Sequence, residues 1–492
     1  MPVDPRTPVL IGQGQALDRS TSPHDAKHPV ALMADALLAA ARDADIALPQ
    51  SVDSVRVVRL LSWKYTNAAH SLATACGITA RETATTPHGG NMPQTLVNLT
   101  ARQIASGEMD FVVLAGGECA RTRTAVKDQS LLPWPTPDDA PPAAHIVDDL
   151  ALLNDEETRL GIMLPIQMYP MFESAIRAAA HRDIASHDRR IGELWSRFSQ
   201  VAATNEFAWS RDALTTDEVV TVSPSNRMIG LPYRKVMNSN NQVNLAAALI
   251  MCSAERATAL GVPRDRWVFP LAGTDCHEHQ FVSNRWSFAE TPAVARGGAM
   301  ALRLAGLDVD DVSLVDLYSC FPSAVQLGAA SLGFDLQRTL TLTGGLSFSG
   351  GPWNNYVMHA IATAMRRLRE SPDERAFVWA NGGYATKHAF GVYATQPSPS
   401  GFAYGNPQEE VDALPRRELA LGDDAAGAAT IEAYTVMHDR NGVPERLIAS
   451  AIRPDARRAW IVNTDPSVAA SFASGEHVGE RVRLVRSGEL AV

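Results

Sequence analysis

The sequence predicts an α/β protein that uses one fold twice and then adds a small β-rich domain. Three observations predict it. A strand–glycine-turn–helix–strand unit is carried by HGGNMPQTLVNLTARQI (88–104) with FVVLAGG (111–117), and again by SGGPWNNYVMHAIATAM (349–365) with AFVWANGG (376–383). The markers keep their spacing: Gly90 and Gly351 lie 261 positions apart, Gly116 and Gly382 lie 266 apart, and the Val-Asp pairs at 52–53 and 309–310 lie 257 apart, as internal duplication requires. Beyond about residue 410 the texture changes to short alternating runs split by DD, RNG and PD turns, a β-domain of roughly eighty residues.

Each element has a local reason. TPVLIGQG (7–14) is a buried strand closed by glycine, 29–44 an amphipathic helix, and VDSVRVVRLL (52–61) a second strand. Strand–helix alternation through 117 implies βαβ units with helices on both faces of a sheet. From 118 to 230 the pattern breaks. A proline-rich acidic loop, PWPTPDDAPP (133–142), precedes helical stretches at about 157–183 and 188–209, which together read as a cap inserted over the sheet. The apolar stretch 242–260 is expected to be a core helix, or a helix leading into a strand. VSLVDLYSCF (312–321) is a strand running into a helix, and Asp439-Arg440-Asn441-Gly442 turns a hairpin. The domains are therefore set at 1–117 with 231–260, the cap 118–230, the second half 261–408 and the extra domain 411–492.

At 492 residues there is room for several cores, and 46% hydrophobic with 20% charged residues is ordinary for a soluble globular chain. A net charge of −10 without any Lys/Arg run argues against nucleic acid or an anionic membrane as partner. Five scattered cysteines without CxxC spacing argue against a disulfide framework or a zinc site and for a reducing compartment. With a polar N-terminus and no apolar run near 18 residues, the expected location is the cytoplasm.

The motifs resemble the thiolase superfamily over about 1–405. VNLTARQIASGEMDFVVLAGGE (97–118) resembles the helix and strand after the nucleophilic cysteine, VDLYSCFPSA (315–324) the Asn-Glu-Ala-Phe or His-Asp-Cys-Phe segment, GGLSFSGGP (344–352) the Gly-His-Pro segment, and WANGGY (379–384) the Cys-x-Gly segment. The chain is similar to the thiolase-like protein type 1 branch, which is related to SCP2-type thiolases and carries an additional C-terminal domain. The resemblance implies a five-layer αβαβα fold with an OB-like C-terminal domain. It implies a CoA or acyl-CoA ligand with no metal, and a monomer or a homodimer formed through FVVLAGG, with room for a partner chain. Carried over in register, it puts Gly90 at the acyl-accepting cysteine, Gly351 at the catalytic histidine, Ala380 at the acid/base cysteine and Tyr318 at the oxyanion-site Asn or His. Covalent acyl transfer needs a thiolate and a base, so ordinary thiolase chemistry is not expected.

What remains could act non-covalently. The first turn, Gly89, Gly90 and Asn91, opens a helix whose free N–H groups and dipole suit a thioester oxygen; the alternative is a tight turn between layers. Gly350, Gly351, Asn381 and Gly382 form the second ligand-facing set. Tyr318 is either a proton donor to an oxyanion or a residue filling the vacated space. His388 is either a base near neutral pH or a structural imidazole, with Tyr384 and Lys387 as neighbours. Cys320 reads as a packed thiol, His359 as packing, His88 as a surface turn histidine, and Asn354 and Asn355 as helix caps. His277-Glu278-His279 lacks a third metal-ligand motif. Aldolases resembling SCP2-type thiolases lack the nucleophile, use tyrosines, and bind a β-domain partner. The expected activity is thus non-covalent chemistry on a CoA thioester, either retro-aldol cleavage of a 3-hydroxyacyl-CoA or acyl transfer with another base, or else acyl-CoA binding without turnover or a structural role beside a thiolase-type chain.

Overall fold

The computed structural model describes residues 3–20, 22–135 and 139–491. Thr136, Pro137 and Asp138 of the expected proline-rich loop lie outside the described residues, and the flanking residues 133–135 and 139–142 form neither helix nor strand. The first half contains β1 (Pro8–Leu17), α1 (Pro29–Asp43), β2 (Ser51–Val57), β3 (Thr79–Thr85), α2 (Met92–Ala105) and β4 (Phe111–Cys119). The cap contributes β5 (Ala144–His145), helices α3 (Pro165–Ala179) and α4 (Ile184–Thr204), and short strands β6 (Met228–Gly230) and β7 (Tyr233–Arg234), before β8 (Asn244–Ser253) returns to the first sheet. The second half contains β9 (Phe269–His277), α5 (Pro292–Ala305), β10 (Leu314–Leu317), α6 (Pro322–Leu332), α7 (Tyr356–Glu370), β11 (Ala376–Gly382), β12 (Lys387–Ala394) and β13 (Ala403–Gly405).

The duplication is visible in the strand order. The first sheet runs β1-β8-β4-β2-β3-β5 and the second β10-β11-β12-β9-β13. In each, one parallel pair (β2 with β4, β10 with β11) is followed by two antiparallel pairs. Helix α1 covers the first sheet, α2 and α7 lie between the sheets, and α5 and α6 cover the second. The five layers pack closely at glycines: a Cβ at Gly12 or Gly14 would strike the α1 carbonyls of Ala40 and Ala36, and one at Gly391 or Gly273 would strike Gln94 or Asn98 of α2.

Two expectations need correction. Residues 244–253 are a strand, not a helix, buried along its whole length between β1 and β4. A strand covered on both faces is continuously apolar, so periodicity cannot separate it from a core helix. FVVLAGG in β4 also cannot form a dimer edge, because its hydrogen bonds are spent on β2 and β8. The outer edge of β3 is itself capped by β5 through Ala84–Ala144 and Thr85–His145.

The C-terminal residues form β14 (Gly427–His438), β15 (Pro444–Ile452), β16 (Arg458–Asn463), β17 (Arg481–Arg486) and β18 (Glu489–Leu490). They run β16-β15-β14-β17-β18, the hairpin turns at Asp439–Gly442, and a bridge between Ile461 and Gly488 curls the last strand back beside β16. A core of its own, including Ile431, Leu447, Ile461 and Phe472, lies inside. The sheet also takes β6 and β7 from the cap, Gly230 pairing with Met437, so it extends beyond the boundary at 411. Among the described residues no helix is long and apolar enough to cross a membrane, and no group of three or more His, Cys, Asp or Glu could hold a metal ion.

Candidate functional site

The first glycine turn is held by the second half. Asn354 Oδ1 accepts from the Gly89 N–H at 3.1 Å, while its Nδ2 donates to the Arg59 carbonyl at 2.9 Å and faces His88 Nδ1 at 3.3 Å. Asn355 Nδ2 donates to the Gly116 carbonyl at 2.7 Å, and its amide fills the space a Cβ on Gly116 would need. Neither asparagine makes a side-chain cap bond. They stitch the duplicated turns together, which corrects the expectation of caps. Gly350 and Gly351 of the second turn pack on Leu245, Val243 and Asn241 instead.

At Gly90 the structure leaves no room for a nucleophile. A Cβ there would overlap the Tyr318 hydroxyl, lie 2.8 Å from Tyr318 Cζ, and come within 2.5 Å of the Asn381 carbonyl oxygen. Tyr318 is buried, with its ring edge-on to Tyr356 at 5.7 Å. Burial, and secondarily the neighbouring Cys320, pushes its phenol far above the ordinary range, so it is neutral at physiological pH. Cys320 is a packed thiol raised to about 12 by burial.

Behind this centre stands a residue that sequence reasoning missed. Tyr169 of α3 stacks on Phe321 at 4.6 Å and plugs the WANGGY turn. Its hydroxyl accepts from Asn381 Nδ2 and the Ala385 N–H, both at 2.9 Å, and donates to the Gly383 carbonyl at 3.1 Å. An aromatic in an inserted helix carries no motif, so only the fold reveals the contact.

Register separates the two neighbours on β12. Asn381 pairs with His388 and Gly382 with Lys387, and successive side chains take opposite faces. Lys387 faces α2, where Nζ donates to the His88 carbonyl and Cε lies 3.2 Å from a Cβ placed on Gly89. His388 takes the other face, 1% exposed. Its Nδ1 accepts from Trp379 Nε1 at 3.3 Å, and its Nε2 has no hydrogen-bond partner among the described residues. Burial, with Arg285 and His277 adding to it, drives its pKa well below the usual histidine value. The side chain that reaches the first turn is thus Lys387 rather than His388. Burial lowers the Lys387 pKa, and Asp149, 3.6 Å away, partly restores it.

Beside the turn lies an open cavity of about 600 Å³. Asn91, at the N-cap of α2, forms one wall with Thr95 and Arg102 of α2; Lys387, Asp275 and Tyr404 stand opposite, and His388 also borders the cavity. Asn91 is nearly buried, with its Oδ1 against Gly89 and Gly382, neither of which could carry a side chain there. Asp275 accepts from Thr95 Oγ1 at 2.6 Å and Asn98 Nδ2 at 2.8 Å, and burial raises its pKa. Arg102 lies inside the quoted 88–104 unit, whereas Asp275 and Tyr404 lie in no motif and meet through the pairing of β9 with β13. The His277-Glu278-His279 side chains diverge: His277 turns to the Glu278 carbonyl, Glu278 to the Ala293 N–H and His279 to the Pro415 carbonyl. His359 is buried against Gln15 and pushed down to about 3.

Residues 407–489 match the family model of the thiolase-like protein type 1 additional C-terminal domain. No curated protein matches the chain in sequence. Among solved structures, the peroxisomal thiolase of Saccharomyces cerevisiae, a dimer, is similar at 13% identity and a TM-score of 0.55, covering 80% of this chain and 99% of its own. A structure described as the Ltp2-ChsH2(DUF35) aldolase is similar at 18% identity and 0.60, covering 80% and 98%. These two share the fold. A monomeric SCP2-thiolase like protein type 1 from Mycobacterium smegmatis is 31% identical over 99% of this chain and 98% of its own, with a TM-score of 0.83. By that likeness over its full length, and by its additional C-terminal domain, the chain belongs to the SCP2-thiolase-like protein type 1 family.

Proposed function

We propose that this protein binds CoA thioesters and acts on them without a covalent acyl-enzyme, by retro-aldol cleavage of a 3-hydroxyacyl-CoA. One observation carries the reading: a neutral tyrosine hydroxyl occupies the place where a nucleophile on Gly90 would stand. A buried neutral phenol is a hydrogen-bond donor suited to a developing enolate oxygen. In the step itself the 3-hydroxyl loses its proton, the C2–C3 bond breaks, and the electron pair passes into the thioester enolate, which is then protonated at C2. Lys387, which reaches the same turn from β12 and whose ammonium is destabilised by burial, supports the proton transfers. The aldolase named among the similar structures lends the fold a precedent for this reaction class. A cytoplasmic location, a ligand of acyl-CoA type and a further partner chain belong to the same proposal.

A second reading, acyl-CoA binding without turnover, is favoured by one fact. Tyr318 is not among the residues lining the cavity, whereas Asn91 and Lys387 are. Calorimetric titration with CoA, acetyl-CoA and a 3-hydroxyacyl-CoA, followed by mass-spectrometric product detection, separates the readings. Saturable binding with aldehyde or ketone release supports the lyase, and turnover retained by Tyr318→Phe rejects the role given to the phenol. Binding without product supports the second reading. No binding at millimolar ligand rejects both.

A further inference from the structure

The residues of α2 and its N-cap that line the cavity are Asn91, Met92, Thr95, Leu99 and Arg102. Steps of three and four residues place them on one helical stripe, which at 1.5 Å per residue is about 16 Å long. The two ends differ in chemistry from the middle. At the inner end Lys387 rests against the first glycine turn. At the outer end Arg102 is exposed, its guanidinium carbon 4.4 Å above the Tyr404 ring. Among the described residues that guanidinium donates no hydrogen bond. Stacking occupies a face of the guanidinium and leaves its in-plane N–H fork free for a bidentate anion. Between the ends, Met92 and Leu99 face Ile146, Val147 and Leu150 of the cap across the cavity. Two carboxyl groups also line the cavity, Asp148 of the cap and Asp275, the latter buried and accepting from Thr95 and Asn98.

We infer that this stripe is the track of a linear ligand, with Arg102 on Tyr404 taking a phosphate of CoA and the thioester end lying toward Lys387. The inference rests on the CoA-thioester reading above and adds where the nucleotide end is held. A phosphate on the 3′ carbon and the diphosphate bridge would satisfy the fork equally, so the test distinguishes them.

The test is calorimetric titration of the full chain and its Arg102→Gln variant with CoA, dephospho-CoA and pantetheine, beside a thermal melt. Arg102→Gln should weaken CoA about tenfold or more, the scale of a charge-assisted hydrogen-bond pair. Pantetheine affinity and melting temperature should stay unchanged. Tyr404→Leu, which removes the stacking platform, should weaken CoA in the same direction. Dephospho-CoA binding to the wild type as weakly as CoA binds Arg102→Gln assigns the 3′ phosphate; dephospho-CoA binding as tightly as CoA assigns the diphosphate. If the wild type binds CoA and Arg102→Gln binds it equally well, the inference is overturned while the CoA reading stands. If the wild type binds none of the three, both fall.

Discussion

The Tyr318 hydroxyl and any side chain at Gly90 compete for one volume, and the Asn381 carbonyl oxygen closes that volume from another side. Gly90→Ala should therefore overpack a buried site and cost about 1–3 kcal/mol in urea unfolding. In Gly90→Ala/Tyr318→Phe the phenolic oxygen is gone but the backbone wall remains, so only part of the loss should return. Complete recovery would mean that Asn381 does not restrict the turn, and no loss in the single variant would mean the turn yields freely.

Acid titration should show opposing pairs of groups. Glu118 and Asp316 are raised to about 7 by burial, so the folded chain holds protons that the unfolded chain, at 4.5 and 3.8, releases. Between those limits they add stability as pH falls. His359, at about 3, and His388, well below 6.5, stay neutral while the unfolded imidazoles protonate, so they remove stability as pH falls below 6.5. The pairs offset one another down to about the unfolded carboxyl values. Between about pH 4 and 3 the neutral histidines go on removing stability, at about 1.4 kcal/mol per pH unit for each, until His359 itself takes a proton at about 3, and carboxylates held low by hydrogen bonds, such as Asp128 and Asp183, add to the loss. His359→Leu should make the acid limb of a pH–stability curve shallower by one proton, and an unchanged limb would show that His359 is not neutral in the fold.

The duplicated fold was legible because glycine turns and apolar runs recur at near-constant spacing, and repetition survives loss of the catalytic residues. Residues 244–253 were not, since burial on both faces erases the alternation that marks a strand. The site was legible only in part. Gly89, Gly90 and Asn91 could be found from their turn, but whether Lys387 or His388 faces it depends on strand register, which one residue inverts. Asp275, Arg102 and Tyr404 come from three distant segments. Tyr169 acts from an inserted helix whose docking no local pattern encodes.

The sheet edges predict a monomer. β4 is interior, β5 covers β3 at Ala84 and Thr85, and β1 bonds through the isolated Leu10–Val268 bridge to the residue just before β9. Edges shortened or partly covered in this way are poor templates for a second chain. Light scattering should return the mass of one 53.0 kDa chain. A concentration-independent dimer would show that association uses helices or the extra domain instead of these edges.

Arg458 ties the extra domain to the second half. It is fully buried, donates Nε and Nη2 to the Glu432 carboxylate at 2.9 and 2.8 Å, and donates Nη1 to the carbonyls of Ser283 and Arg285 at 2.6 Å each. Its guanidinium carbon also lies 4.3 Å over the Phe288 ring. Arg458→Met keeps most of the stem but strands a largely buried carboxylate and two carbonyls, and breaking a buried pair from one side costs about 3–5 kcal/mol. Arg458→Met/Glu432→Leu removes the stranded charge and should recover part of that cost. Urea unfolding gives the magnitudes, and limited proteolysis shows where the strain appears. Early cleavage between β13 and β14 in the single variant would mean that Arg458 holds the domain in place. Resistance equal to wild type, with a loss below 1 kcal/mol, would transfer that role to the Gly230–Met437 strand pairing with the cap.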